Sequence, residues 1–154
     1  GSKPAVHKWP SKEFFGSYVA PLRQNGVPQG NHYALAVNHN PVVNNTSGSV
    51  VGYKCFNFDH ANGVENLQLL MNVVPAGVDA TIEVFVNSPY VSRGGVKVGE
   101  FKLKSSMARK KTELRTDVPA VSQLHGKRGL YFLIKSDKKD KSVCEIHDFV
   151  FTSK

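Results

Sequence analysis

Alternating apolar and polar positions predict β-strands through the second half of the chain. In NLQLLMNVV (66–74) and DATIEVFVN (79–87) every second residue is apolar, as expected for a strand with one buried face. The predicted inward positions are Leu67, Leu69, Met71 and Val73 in the first stretch and Ala80, Ile82, Val84 and Val86 in the second. Both stretches are typical of half-buried antiparallel strands.

Further strands are predicted on both sides of this pair. SVVGYKCFNFD (49–59) places Tyr53, Phe56 and Phe58 in a predicted core. In VKVGEFKLK (96–104) the apolar phase shifts between Val98 and Phe101, which predicts a β-bulge or an irregular corner. ELRTDV, RGLYFLIKS and VCEIHDFVF complete the set. Seven to nine strands without a long helical period indicate an all-β fold, a β-sandwich or jelly roll.

The first third of the chain has a different composition. Residues 3–48 are rich in Pro, Gly and Asn and form a loop-rich segment with the first strand or strands of the same domain, whereas 49–154 form the core. NHYALAV (31–37), which contains Tyr33, predicts a strand. The following loop carries Asn44 and Asn45, whose amides suit either sugar hydroxyls or turn formation. The aromatics Trp9, Phe14, Phe15 and Tyr18 either plug one end of the sandwich or line a ligand surface.

The length of 154 residues fits one domain with a sizeable core. No apolar run approaches the roughly 18 residues of a membrane span, so no membrane partner is expected. Gly1-Ser2, without a methionine, is typical of the scar that a protease leaves on an expressed fragment. We therefore expect a fragment of a longer bacterial protein that is secreted, periplasmic or on the cell surface, its export signal removed.

The positive charge is concentrated in one segment. Twelve basic and four acidic residues lie between Lys102 and Lys141, which accounts for the whole net charge of +8. Such a segment attracts an anionic polymer, either nucleic acid or an acidic polysaccharide, or it forms solvated turns. SDKKDKS (136–142) is itself predicted to be a hairpin turn between two strands.

The two cysteines, Cys55 and Cys144, match no metal or redox spacing. Each lies in a predicted strand and is interpreted as a small buried apolar residue. Because a first and a last strand can lie side by side in a sandwich, a disulfide between them stays open.

The order of several strands resembles a known family. VVGYKCFNFD, ATIEVFVNSP, VKVGEFKL, GKRGLYFLIKS and EIHDFVF follow the order and spacing of the family 6 carbohydrate-binding modules, over about residues 49 to 152. The resemblance is greatest to the modules found C-terminal to bacterial family 43 glycoside hydrolases. It implies a jelly roll with a galactose-binding-like topology that binds glycans without cleaving them.

The resemblance also implies where a ligand binds. In the family, one site lies in loops at an edge of the sandwich and some members use a second site on a sheet face. The family's stacking tryptophan falls near Lys111, and its C-terminal asparagine and aspartate align with Glu145 and His147. Lys110 and Lys111 in place of an aromatic suit a carboxylated or sulfated sugar. The family's calcium-holding "E-A-E" segment is not visible and no acidic cluster with calcium-loop spacing replaces it, so no cofactor is predicted, while structural calcium stays open.

The resemblance thus predicts a non-catalytic carbohydrate-binding module, and no G-x-S-x-G elbow or H-E-x-x-H pattern indicates catalysis by the isolated domain. The expected partners are a polysaccharide or oligosaccharide and an attached catalytic domain. Two alternatives stay open: a docking β-sandwich that supports that domain, and a basic nucleic-acid-binding module, although no RNA-binding or helix-turn-helix pattern is present. The predicted ligand-binding residues are Tyr33, Asn44, Asn45, Asn87, Tyr90, Lys110, Lys111 and Glu145.

Overall fold

Two antiparallel β-sheets pack face to face in the computed structural model, which describes residues 23–24, 27–28, 42–59 and 61–153. The strands are β1 (Arg23–Gln24), β2 (Val27–Pro28), β3 (Val50–Asn57), β4 (Leu67–Pro75), β5 (Ala80–Val86), β6 (Val96–Leu103), β7 (Thr112–Asp117), β8 (Lys127–Lys135) and β9 (Cys144–Ser153). Two short 3-10 helices span Val91–Arg93 and Pro119–Gln123. The all-β class is confirmed.

The two main sheets have the strand orders β3-β8-β5-β6 and β7-β4-β9, while β1 pairs only with β2. Their facing sides supply one core, because alternate residues of each strand point inward. All eight inward positions predicted for the second and third long strands are buried. A group of edge-packed rings fills the centre, with 4.8 Å between the ring centroids of Tyr53 and Phe149 and 5.1 Å between those of Phe132 and Phe149.

The register of β6 against β5 shifts where the sequence predicted an irregularity. Val84 pairs with Gly99 and Phe85 with Lys97, so Val98 is the extra residue of a bulge. The bulge lets Val98 and Phe101, which are three residues apart, both face the core. Register shifts also occur in β3 between Tyr53 and Phe56 and in β4 between Asn72 and Val73.

The predicted hairpin at 136–142 is wrong. β8 lies in the four-stranded sheet and β9 in the three-stranded sheet, so this segment crosses from one layer to the other. The periodicity of the two strands is compatible with either arrangement, since both bury an apolar face in the same core.

β3 and β9 do not lie side by side, because they belong to opposite sheets. Cys144 is a free, buried thiol, as the interpretation of a small apolar residue requires. The side chain of Cys55 lies outside the described part of the chain. Burial, with a smaller contribution from the charge of Glu145, raises the pKa of the Cys144 thiol to about 12.

The segment that precedes β3 is fastened to β9. Val42 forms an isolated bridge with Ile146, and the Val143 amide donates to the Asn45 carbonyl over 2.9 Å. Residues 42–48 therefore belong to the same packing unit as the strands. The predicted strand at 31–37 and the aromatics Trp9, Phe14, Phe15 and Tyr18 lie outside the described residues.

Candidate functional site

The loops collect at two opposite ends of the sandwich. One end, called here the basic end, is formed by loops 43–49, 76–79, 104–111 and 136–143, which hydrogen bonds of Asp79 and Ser136 join. These loops contain seven basic and three acidic residues, a net charge of +4. The opposite end is formed by loops 58–66, 87–95 and 118–126, joined by bonds such as that from the Phe58 amide to the Gly126 carbonyl.

Asn44 and Asn45 lie at the basic end but only one of them faces solvent. Asn45 is fully buried, and its amide nitrogen donates to the carbonyls of Val42 (2.9 Å) and Cys144 (3.0 Å). It therefore holds the loop against β9 and is not placed to touch a ligand. Asn44 is exposed with a φ of 60°, a conformation that asparagine tolerates better than most residues. The backbone conformation of the turn therefore explains why an asparagine occurs at this position.

Lys110, Lys111 and Glu145 flank the same end of β4. Both lysines are exposed just before β7, whose Thr112 pairs with Val73 of β4, and Glu145 of β9 pairs with Val74 on the other side. The Glu145 carboxylate lies 3.3 Å from His147 Nε2. The structure thus gathers the residues that align with the family's loop site, and they are ionic. Tyr33, another of the predicted ligand-binding residues, lies outside the described residues.

Asn87 and Tyr90 lie at the opposite end, away from these three residues. Asn87 has a φ of 75° and accepts a hydrogen bond from Arg128 Nη1 at 3.2 Å. Tyr90 is half-buried and packs against a small apolar cluster formed by Val50, Phe85 and Leu133. The described members of the predicted set therefore do not all lie together, and Tyr90 packs against the same apolar cluster as Tyr131.

A candidate surface lies on the outer face of the four-stranded sheet, where Tyr90 and Tyr131 pack against the buried side chains of Val50, Phe85 and Leu133. The register arranges its outward residues in rows across the strands from β3 to β6. The row nearest the basic end holds Lys135, Thr81 and Lys102; the next holds Val50, Leu133, Glu83 and Glu100; the third holds Gly52, Tyr131, Phe85 and Lys97. We call these residues the outer face.

The ring of Tyr131 lies flat on the outer face. A Cβ atom at Gly52 would be 2.8 Å from Tyr131 Cδ1, and one at Gly129 would be 2.5 Å from Tyr131 Cε2. The ring therefore covers the backbone at both glycines, and only residues without a side chain leave room for it there. Tyr131 stays partly exposed, and it packs against the apolar cluster formed by Val50, Phe85 and Leu133.

Beside this ring the sheet carries a chain of ion pairs. Glu83, whose side chain is only 12% exposed, has Lys97 Nζ 3.1 Å from Oε2 and Lys135 Nζ 3.1 Å from Oε1. Lys97 also bonds Glu100, which in turn pairs with Lys102 at 3.1 Å. All five charged groups belong to neighbouring strands of one face.

These pairs fix the protonation of the two carboxyl groups. Burial raises the pKa of Glu83, but hydrogen bonds and attraction from Lys135 and Lys97 outweigh it and leave that pKa below its ordinary value. Hydrogen bonds from Lys97 and Lys102 likewise lower the pKa of Glu100. Bonding to Glu100 and Glu83 raises the pKa of Lys97. At neutral pH this part of the outer face is fully ionised, with its charges held at fixed positions.

The sequence predictions missed Tyr131 and Glu83. Alternation in LYFLIK places Tyr131 on the side opposite Leu130 and Phe132, and Gly129 precedes it by two residues on the same side. The outward position of Tyr131 and the glycine at Gly129 would together have indicated an exposed aromatic ring above a position without a side chain. The second glycine, Gly52, is far away in the sequence, and only the register brings it opposite Tyr131.

Other site types find no support within residues 42–59 and 61–153. No group of three His, Cys, Asp or Glu side chains there is arranged to hold a metal ion. No helix in the described part of the chain is long and apolar enough to cross a membrane.

No protein-family model matches the chain, and no curated protein matches it in sequence. Solved structures do match the chain. A family 43 glycoside hydrolase, an arabinoxylan arabinofuranohydrolase from Bacillus subtilis in complex with cellotetraose, matches with a TM-score of 0.60 and 21% identity over 86% of this chain. This chain spans only 23% of that enzyme's length.

Two single modules match over comparable lengths. The module CsCBM6-3 from Clostridium stercorarium, in complex with cellobiose, has a TM-score of 0.55 and 16% identity over 74% of each chain. A β-1,3-glucan-binding CBM6 from Bacillus halodurans has a TM-score of 0.53 and 16% identity over 73% of this chain and 75% of its own. At such identities the similarity establishes the fold, and the fold predicted from the resemblance, that of a family 6 carbohydrate-binding module, is confirmed.

Proposed function

We propose that this protein is a non-catalytic carbohydrate-binding module whose ligand lies on the outer face of the four-stranded sheet. The observation that carries the proposal is the flat, half-exposed ring of Tyr131 above Gly52 and Gly129. An accessible aromatic face carries negative potential and attracts the C–H groups of a pyranose ring. This arrangement suits stacking of a sugar, and no cleavage chemistry is needed for it.

Polar groups beside the ring would bind the sugar's hydroxyls. Glu83 lies diagonally across from Tyr131 in the register, and Lys97 is in the same row as Tyr131. The ionised carboxylate of Glu83 accepts hydrogen bonds from hydroxyls, and the ammonium group of Lys97 donates them. Because the ion pairs already hold both groups, little side-chain freedom is lost when a ligand binds.

The wider role is part of the same proposal. We propose that the chain is a fragment of a longer glycoside hydrolase, secreted, periplasmic or on the cell surface of a bacterium, which the module targets to a plant or other polysaccharide. The match to a segment of a family 43 enzyme and the complexes of similar modules with glucose oligomers support this proposal. The lysines in place of a stacking aromatic, Lys110 and Lys111, favour a polysaccharide with acidic groups.

The test is affinity electrophoresis against soluble neutral and acidic polysaccharides, with binding to the best ligand then measured by calorimetry. Tyr131→Ala removes the ring and should weaken binding at least about 10-fold, whereas Tyr131→Phe should keep most of it. Gly52→Ala keeps the ring but lifts it from the sheet and should also weaken binding. Lys110→Ala with Lys111→Ala, at the loop site, is the control that should leave neutral-sugar binding unchanged.

Other results would assign the chain differently. Full binding by a folded Tyr131→Ala variant, checked by its thermal melt, would contradict a site on the outer face. Retardation of the wild-type chain by none of the polysaccharides would overturn the binding function and favour a docking role beside a catalytic domain. Retardation by a nucleic acid alone would favour the basic nucleic-acid-binding alternative.

A further inference from the structure

A cavity opens where the outer face meets the basic end. Its volume is about 580 Å³, and its lining includes the first row of the outer face, Lys135, Thr81 and Lys102, together with Lys104 and Lys139 from the adjoining loops. The Thr81 hydroxyl makes no hydrogen bond within the described part of the chain. The cavity thus combines four ammonium groups with a hydroxyl that is free to donate.

The cations of the cavity are not equivalent. Lys135 and Lys102 are paired with Glu83 and Glu100 of the outer face. Lys104 and Lys139 have no carboxylate within ion-pair distance among residues 42–59 and 61–153. Two ammonium groups therefore remain to be neutralised by an anion from outside the protein.

The loops that form the cavity are cross-linked. The Ser136 amide donates to Ser47 Oγ over 3.2 Å, and Ser136 Oγ donates to the Asp79 carbonyl over 2.8 Å. The Asp79 carboxylate accepts the Ser105 amide at 2.6 Å. The carboxylate of Asp79 is thereby used to hold the loop of Ser105, and four loops are joined around the opening. Asp137, also in the lining, is the one further acid there.

The cavity and Tyr131 lie at different points along the same strand, β8. Tyr131, Leu133 and Lys135 are successive outward residues of β8, so the backbones of Tyr131 and Lys135 are about 13 Å apart along the strand. Glu83 lies between them, and its two lysine partners balance its charge. A polysaccharide chain that lies along β8 can therefore stack at one point and reach the cavity at another without meeting an unbalanced carboxylate.

We infer that the cavity is a subsite for an anionic group, a carboxylate or a sulfate ester, on the polysaccharide whose sugar ring stacks on Tyr131. The inference rests on the proposed function and names the ligand class of the same surface. Lys104 and Lys139 pair with the anionic oxygens and Thr81 donates a hydrogen bond to them. The ligand is then an acidic polysaccharide with its charged groups a few sugar units from the stacked ring.

The experiment compares a neutral β-glucan with its carboxymethylated and sulfated derivatives of matched length, all measured by calorimetry at one salt concentration. The wild-type chain should bind at least one derivative about 10-fold more tightly than the neutral polymer, and the tighter derivative identifies the anion. Lys104→Gln with Lys139→Gln should remove this gain and leave affinity for the neutral polymer unchanged. Lys138→Gln with Lys141→Gln removes the same charge from the same end, at exposed positions outside the cavity lining, and should keep the gain.

Each other outcome has a definite meaning. Equal loss in the two double variants would show that only the overall charge matters and would overturn the subsite, as would equal wild-type affinity for neutral and charged polymers. Competition by a single-stranded oligonucleotide stronger than that of the charged glucans would also overturn it. Weakened binding in Tyr131→Ala, together with an intact gain in the Lys138 and Lys141 variant, supports both proposals. Retained charge-dependent binding in Tyr131→Ala would contradict the stacking site alone.

Discussion

At the scale of single residues, asparagine has two different roles in the loop that precedes β3. Asn45 is fully buried, and its side chain replaces strand pairing by donating to two carbonyls that are far apart in sequence. Asn44 is exposed and adopts a positive φ. Hydrogen bonds of the side chain therefore explain the asparagine at Asn45, and the backbone conformation explains the one at Asn44.

Asn45→Ala should lower the free energy of unfolding by about 1 to 3 kcal/mol, because it leaves the carbonyls of Val42 and Cys144 without their donor. Chemical denaturation measures this loss. The matched control is Asn44→Gly, which accepts the positive φ and should change stability by only a few tenths of a kcal/mol. A loss of sugar binding in a folded Asn45→Ala variant, with stability unchanged, would show instead that Asn45 is a ligand residue.

At the scale of elements, β5, β6 and β8 are joined on their outer side by the ion pairs of Glu83, Lys97 and Lys135. Glu83 occupies a position that would usually be apolar in a central strand with little exposure. Its charge is retained because each carboxylate oxygen has an ammonium group at 3.1 Å. The strands therefore share an electrostatic contact in addition to their backbone hydrogen bonds.

Glu83→Gln should reduce stability at neutral pH by about 1.5 to 3 kcal/mol. The pKa of Glu83 is lowered in the folded chain, so its contribution is complete above the unfolded pKa of about 4.3 and is lost as the pH falls through the lower folded pKa. The stability difference between the variant and the wild type should therefore shrink as the pH falls below about 4.3 and disappear below the folded pKa. Glu65→Gln, at an exposed position with no ion pair in the described part of the chain, is the control with the same charge change. A constant difference at every pH would exclude the ionised carboxylate as the cause.

The strands could be predicted from the sequence more reliably than their arrangement. Alternation gave the inward residues of β4 and β5 correctly, because a period of two directly reports which side is buried. It did not reveal that residues 136–142 cross between sheets, since β8 and β9 face one core from opposite layers. Which strands pair with each other depends on contacts between residues that are far apart in sequence. The apolar periodicity of a single strand carries no information about those contacts.

The site was less predictable for a related reason. Asn44, Asn87 and Tyr90 were selected because loop residues often bind ligands, but the two asparagines meet backbone requirements and Tyr90 packs on the sheet. Tyr131 lies in a strand whose composition is ordinary. Its exposed ring results from Gly52 on β3, and a sequence pattern does not show that these two residues are neighbours.

At the scale of the whole molecule, charge is divided between the two ends. The loops of the basic end carry a net +4, whereas those of the opposite end contain one basic residue, Arg93, against Asp59 and Glu65. A polyanion therefore meets the molecule in a preferred orientation, with the basic end first. The outer face extends from that end towards the other, so the first encounter leaves the polymer beside the stacking ring.

Ionic strength should affect binding at the exposed lysines but not binding at the stacking ring of Tyr131. Raising ionic strength from about 0.01 to 0.15 M shortens the Debye length from about 30 to 8 Å, which weakens attraction of an acidic polymer to the exposed lysines. Affinity for a charged glucan should then fall several-fold, mainly through a slower association rate, while affinity for the neutral glucan stays constant. Surface plasmon resonance measures both. Equal salt dependence for the two polymers would contradict the division into a charged and a stacking region.

The strand order also has a consequence for how the chain acquires its structure. β8 lies between β3 and β5, and Val50 at the start of β3 pairs with Leu133 near the end of β8. During synthesis, β3, β5 and β6 leave the ribosome before the strand that joins β3 to the others exists. Pairing of such distant segments is slow, because a long loop must close before any contact forms. Folding of the sandwich therefore waits for β8 and β9, and until then the apolar sides of the earlier strands depend on chaperones for protection.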